Sequence, residues 1–217
     1  MNNNIIKLTN KLVSIESIDA KKEKLNEIVD FVMRELKGFT IERFKQNNRP
    51  SLLAYVGNKR PEKFKVMLNA HLDVVAGRPD QFCVVEKGGK LWGRGVYDMK
   101  AAAAVEILVF KELASKLPYP LGLQLVTDEE MGGTDGTRFQ IDAGVRAEFT
   151  IAGEGTNFDI NAQGYINPYF KTPEFKSGGE GYFVEPGRAY LSPVPKAEID
   201  LYQQNAGVTL TQNPGWF

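Results

Sequence analysis

The stretch that decides the fold is FKVMLNAHLDVVAG, residues 64–77. Its first seven residues form a near-continuous apolar run, the pattern of a strand buried on both faces. The run leads into His71, the only histidine of 217 residues, and Asp73 follows two places later. Side chains at i and i+2 leave a strand on the same side. His71 and Asp73 are therefore expected to emerge together at the C-terminal end of a buried strand, where open α/β sheets place their ligands. A metal-bound imidazole usually has a carboxylate or carbonyl on its other nitrogen, and Asp73 can fill that role. A half-buried histidine with satisfied hydrogen bonds is the competing reading, because an H-x-D triplet by itself recurs by chance.

Outward from this strand, helices and strands alternate. Ile5, Leu8, Leu12 and Ile15 fall at helical spacing, which predicts an amphipathic helix over 4–16. A second helix is expected after Asp19, read as its N-cap, with Leu25, Ile28, Val29, Val32 and Leu36 on one face and Gly38 as its stop. FTIERF (39–44) and SLLAYVG (51–57) read as strands. The paired glycines of VVEKGGKLWGRG mark a turn, and MKAAAAVEILVFKELASKL (99–117) is the clearest helix. LGLQLVT (121–127) and EFTIAG (148–153) are two further apolar strands. This alternation predicts an α/β fold with helices packed on a mixed sheet.

Three more segments share one rule: an apolar strand or glycine turn, then an acidic residue at its end. In GRGVYDMKAAAA (93–104), Gly93 and Gly95 allow a tight turn and Asp98 stands at the helix start, either as an N-cap or as a carboxylate at the mouth of a site. In TDEEMGGTDGT (127–137), Glu129 and Glu130 are expected to project in different directions from an extended backbone, one toward a metal and one toward a proton; a solvated acidic turn is the alternative. IAGEGTN ends another apolar strand with Glu154. His71, Asp98, Glu130 and Glu154 form an N/O donor set, which suits zinc, cobalt or manganese better than the thiolate sites of structural zinc.

HLDVV, GRGVYDMK, TDEEMGG and GEGTN, in this order and at these intervals, resemble the catalytic half of the co-catalytic zinc aminoacylase and peptidase family, of the acetylornithine deacetylase, succinyl-diaminopimelate desuccinylase and carboxypeptidase G type. The resemblance spans residues 1 to about 160. It implies the mixed, helix-flanked sheet of a zinc peptidase. It implies one or two Zn²⁺ per chain, with Co²⁺ or Mn²⁺ as substitutes. His71 and Glu154 would hold one metal, Asp98 would bridge and Glu130 would hold the second. Glu129 would be the general base and Asp73 would orient His71. The implied reaction is hydrolysis of the amide bond of an N-acyl amino acid or small peptide. Two family features have no counterpart here: a late second histidine, and an inserted domain that supplies dimer contacts and substrate-carboxylate donors.

Beyond residue 160 the character changes. Six of the eleven prolines lie there, and only KAEIDLYQQN suggests a short helix. Residues 190–216, YLSPVPKAEIDLYQQNAGVTLTQNPGW, resemble the C-terminal end of SusD/RagB-like nutrient-binding lipoproteins. The sequence therefore reads as an incomplete metallohydrolase core, 1–160, joined to an irregular tail, 161–217. Two readings stand beside the hydrolase: a metal-binding remnant without turnover, and a nutrient-binding module. Lysine plus arginine and aspartate plus glutamate balance at 27 each, so no global field draws the chain to nucleic acid or to an anionic membrane. One cysteine, Cys83, excludes an internal disulfide framework and suits a reducing compartment. The N-terminus lacks the basic start and apolar core of a signal peptide, so the expected location is the cytoplasm.

Overall fold

A computed structural model describes residues 3–153. Two helices come first, α1 (Asn3–Ser14) and α2 (Lys22–Glu35). Leu8 and Leu12 of α1, and Leu25, Ile28, Val29 and Val32 of α2, are buried, as the helical spacing predicts; Val13 is buried as well, and Ile5 only partly. Asp19 is not the N-cap of α2. Lys21 holds that position without a side-chain cap, and the Asp19 carboxylate instead accepts hydrogen bonds from Arg49 and Lys22. The half-buried Arg49 guanidinium outcompetes backbone N–H groups for the carboxylate, because both partners of that bond are charged. The helix also ends earlier than Gly38, at Glu35 with Leu36 as its C-cap.

Strands β1 (Thr40–Gln46) and β2 (Arg49–Tyr55) form an antiparallel hairpin. Strand β3 (Phe64–His71) carries the apolar run. A small two-stranded hairpin follows, β4 (Val85–Lys87) and β5 (Lys90–Trp92). Its turn is Gly88–Gly89, both at positive φ (62° and 70°), the backbone that a two-residue hairpin with right-handed strand twist demands. Helix α3 (Ala101–Leu113) then crosses to strand β6 (Leu121–Val126), and a short helix α4 (Phe139–Asp142) leads to β7 (Ala147–Ala152). The alanine run of α3 favours helix and lets it lie close to the sheet.

The five-stranded sheet has the order β1-β2-β6-β3-β7. β6, β3 and β7 are parallel, while β2 pairs antiparallel with β6, so the sheet is mixed. One face buries Leu52, Ala54, Leu68, Ala70, Leu121, Leu123 and Leu125 against the three long helices. Removing this apolar surface from water, at ~25 cal/mol per Å², is the main driving force of the core. The opposite face holds a smaller cluster of Leu53, Tyr55, Phe64, Met67 and Val145. That face also carries a buried amide chain, in which Asn69 donates to Gln124, Gln124 to Gln140, and Gln140 to Ser51. Each buried polar group there has a partner, which removes the cost of burying it.

β7 corrects the expectation of a third buried strand. Phe149 and Ile151 are 55% and 53% exposed. β7 is the outermost strand of the described sheet and pairs only with β3 among the described residues, so its apolar side chains lack a covering layer there. No helix among the described residues is long and apolar enough to cross a membrane.

Candidate metal centre

The site forms where the parallel strands β3 and β6 end side by side, with His71 paired to Val126. His71, Leu72, Asp73 and Val74 leave β3 as a buried segment. Ser17, in the α1–α2 link, fixes it: its hydroxyl donates to the Leu72 carbonyl (2.6 Å), and its own carbonyl accepts from the Val74 N–H (3.0 Å). The His71 N–H points at the Met99 sulfur (3.2 Å).

Both His71 and Asp73 are 1% exposed, and they meet as the sequence predicts, but by a different atom. His71 Nδ1 lies 3.0 Å from the Asp73 backbone carbonyl and 3.5 Å from its Oδ1. The shorter contact sets the ring. A carbonyl only accepts, so Nδ1 carries a proton and Nε2 is the nitrogen offered to the site. The Asp73 carboxylate works elsewhere: its Oδ2 accepts the Glu130 backbone N–H at 3.0 Å. One residue thus ties the ends of β3 and β6 together.

Asp98 is not a helix N-cap. Residues Val96–Lys100 make a wide turn before α3, and Asp98 has non-helical φ and ψ of −122° and 100°. Gly95 opens the turn at φ +76°, with Val74 packed so close that a Cβ would sit 2.5 Å from its Cγ1. The turn brings Asp98 Oδ1 to 2.9 Å from His71 Nε2.

Glu129 and Glu130 lie on a single tight helical turn, Glu129–Met131, rather than on extended backbone. Asp128 shapes it. Its backbone carbonyl accepts from Met131 and Gly133, and its buried Oδ2 accepts from the N–H groups of Asp135 (2.7 Å) and Gly136 (2.9 Å). Burial pushes the Asp128 carboxyl above the usual range, against the pull of those two N–H groups. The turn still separates the two glutamates. Glu130 points inward, and burial followed by the charge of Asp98 raises its carboxyl. Glu129 is 45% exposed, with Oε2 3.9 Å from His71 Nε2.

His71, Asp98 and Glu130 each bring one donor atom within 4.8 Å of the others. Two ligands of a tetrahedral zinc stand roughly 3.3 Å apart at bond lengths of ~2.0–2.1 Å, so the trio fits a shared cation with small rotations. With Nδ1–H already donated, the close approach of Nε2 to a carboxylate calls for a proton or a metal ion between them. Glu154, the fourth expected ligand, lies outside the described residues.

Three contributors went unread in the sequence: Ser17, Asp128 and Lys100. Lys100 is fully buried, and its Nζ donates to the carbonyls of Leu12 (3.0 Å) and Ile15 (2.8 Å). Burial brings its amine down to about 7, with the negative charge of Asp73 opposing. A lysine inside DMKAAAA, at the head of the most apolar helix, was the visible signal.

Comparison with known proteins settles the family. The model for "Peptidase family M20/M25/M40" matches residues 67–217. This chain belongs to that family. It is 32% identical to the succinyl-diaminopimelate desuccinylase of Buchnera aphidicola subsp. Cinara cedri over 64% of this chain and 38% of the relative. It is 32% identical to the acetylornithine deacetylase of Proteus mirabilis over 66% of this chain and 40% of the relative. A desuccinylase of Nautilia profundicola aligns at 27% identity over 99% of this chain and 60% of the relative. The chain thus spans between about two fifths and three fifths of the length of these relatives. Among solved structures, the M20 metallo-carboxypeptidase Sso-CP2 of Sulfolobus solfataricus matches with a TM-score of 0.59 at 19% identity, covering 72% of this chain and 38% of that one. Human carnosine dipeptidase 1 matches at 0.54 and 21%, covering 70% and 38%. These two establish a shared fold. Family membership favours the hydrolase reading over a nutrient-binding module. The resemblance of residues 190–216 to SusD/RagB-like lipoproteins gains no support, since the family match continues through those residues to 217.

Proposed function

We propose that this chain is the metal-binding core of a hydrolase that cleaves the amide bond of an N-acyl amino acid or small peptide. The observation that carries the reading is the convergence of His71, Asp98 and Glu130 on one point, with Glu129 at its open side. Their N/O donor set suits zinc, with cobalt or manganese as replacements. A divalent cation held there would lower the pKa of water and polarise a scissile carbonyl.

The protein's own groups do the rest. His71 offers Nε2 because Asp73 holds Nδ1–H through its carbonyl. Asp98 and Glu130 supply negative charge to the cation, and the Asp73 carboxylate fixes the turn that carries Glu130. Glu129, adjacent to a ligand yet exposed to the incoming substrate, takes a proton from the attacking water and returns it to the leaving amine. Glu154 would complete the ligand set, and residues 1–160 would form the catalytic core. The lone, exposed Cys83 suits the cytoplasm.

The test is Glu129→Gln. That variant keeps its metal content and loses turnover of N-succinyl and N-acetyl amino acids by a factor of ~10² or more. Full activity in Glu129→Gln would remove Glu129 from the mechanism.

A further inference from the structure

Lys100 is the one lysine that is fully buried among the described residues, and it lies two places after Asp98. Its ammonium enters the C-terminal end of α1, where helix carbonyls lack intrahelical donors. Nζ bonds the Leu12 and Ile15 carbonyls, 88 and 85 residues away in sequence. The Ile15 carbonyl also accepts the Ser17 N–H at 2.8 Å, and Ser17 holds the Leu72 carbonyl and the Val74 N–H on either side of Asp73. The backbone N–H of Lys100 closes the turn itself, bonding the Gly95 carbonyl at 2.7 Å. Between Lys100 and Asp98, Met99 is 1% exposed and sits with its sulfur against the His71 N–H. The Asp98 turn is therefore held at two successive residues, while the Asp98 side chain itself is 43% exposed.

We propose that Lys100 is a positioning residue: its tie to the end of α1 sets the Asp98 turn so that the Asp98 carboxylate meets His71 Nε2. This rests on the reading of His71 and Asp98 as ligands, and it names what fixes their separation. A mere helix cap would stabilise the fold and leave the site alone. A mere countercharge would have the opposite sign, since removing a cation beside a carboxylate cluster tightens metal binding. Positioning predicts weaker binding.

The chain has one histidine, so every imidazole signal in its ¹⁵N NMR spectrum reports His71. The experiment compares the metal-free full chain with Lys100→Met, and with Asp98→Ala as the reference for a lost contact. It then measures Co²⁺ affinity of the same proteins by competition with a chromophoric chelator, well below their melting temperatures. The proposal expects the Nε2 resonance of Lys100→Met to move toward that of Asp98→Ala, and Co²⁺ binding to weaken at least tenfold. A folded Lys100→Met with an unshifted imidazole, or with unchanged or tighter Co²⁺ binding, would overturn it. If Lys100→Met does not fold, Lys100→Gln keeps N–H donors on an uncharged side chain one atom shorter than that of lysine, and it carries the same two readouts. If the unaltered chain binds no Co²⁺, the metal reading fails, and the imidazole comparison alone decides the role of Lys100.

Discussion

His71 Nε2 and Asp98 Oδ1 stand 2.9 Å apart across 27 residues of sequence, the first at the end of a buried strand and the second on a wide turn before α3. The other ring nitrogen already donates to the Asp73 carbonyl.

Metal binding competes with protons here. Glu130 is held above the usual carboxylate range by burial and by the charge of Asp98, so a proton competes for that carboxylate. A cation replaces the proton and favours ionised Glu130. Zinc or cobalt binding therefore releases protons, and affinity rises with pH, by up to ~10-fold per unit for each proton released. Calorimetry in buffers of different ionisation enthalpy measures the release; a pH-independent affinity between pH 5 and 7.5 contradicts it.

Asp73 acts through two atoms, and substitution separates them. Asp73→Ala keeps the backbone carbonyl that orients His71 and removes the acceptor for the Glu130 N–H. Metal affinity is expected to fall by about 10–100-fold, the usual cost of losing a group that orients a ligand. Asp73→Asn retains an acceptor oxygen and is expected to fall between Asp73→Ala and the unaltered chain. Equal affinity in all three proteins would dismiss the link.

Gly136 is closed to any side chain. A Cβ there would lie 2.1 Å from Asp128 Oδ1 and 2.8 Å from Val126 Cβ. Gly136→Ala is expected to lose about 1–3 kcal/mol of stability and to displace the turn that carries Glu129 and Glu130. Denaturant unfolding reads the first effect and metal affinity the second.

Arg49 bridges Asp19 and Asp135, at 2.6 Å to each, and so joins the α1–α2 link to the loop after β6. Chiefly through the Arg49 hydrogen bond, the Asp19 carboxyl falls from 3.8 to about 2. A lowered carboxyl contributes stability that is present above its unfolded pKa and is lost as pH falls through the folded one. Asp19→Asn is therefore expected to be less stable by about 1 kcal/mol at pH 6, a figure reduced for partial exposure. The difference shrinks below about pH 4 and is mostly lost as pH falls through about 2. Unfolding curves at pH 6, 4 and 2 check it.

Much of this was legible in local pattern. The apolar run before His71 announced β3, and the glycine pair 88–89 announced the turn between β4 and β5, because burial and positive φ leave marks on residue type. The convergence of His71, Asp98 and Glu130 was legible because each follows a strand or a glycine turn. Asp19 misled because a good capping residue is also a good partner for a guanidinium 30 residues away. The Glu129–Glu130 turn was hidden because its shape is imposed by Asp128 and by Asp73 from the segment after β3. The exposure of Phe149 and Ile151 depends on which elements cover β7, and strand composition does not encode that.

On the proposed function, His71, Asp98 and Glu130 hold a catalytic cation. The most direct measurement is metal content per chain by elemental mass spectrometry after reconstitution with Zn²⁺, beside His71→Ala. At least one tightly held zinc per chain, absent or sharply reduced in a folded His71→Ala, is the expected result. No retained zinc in the unaltered chain, or equal zinc in both proteins, would contradict it.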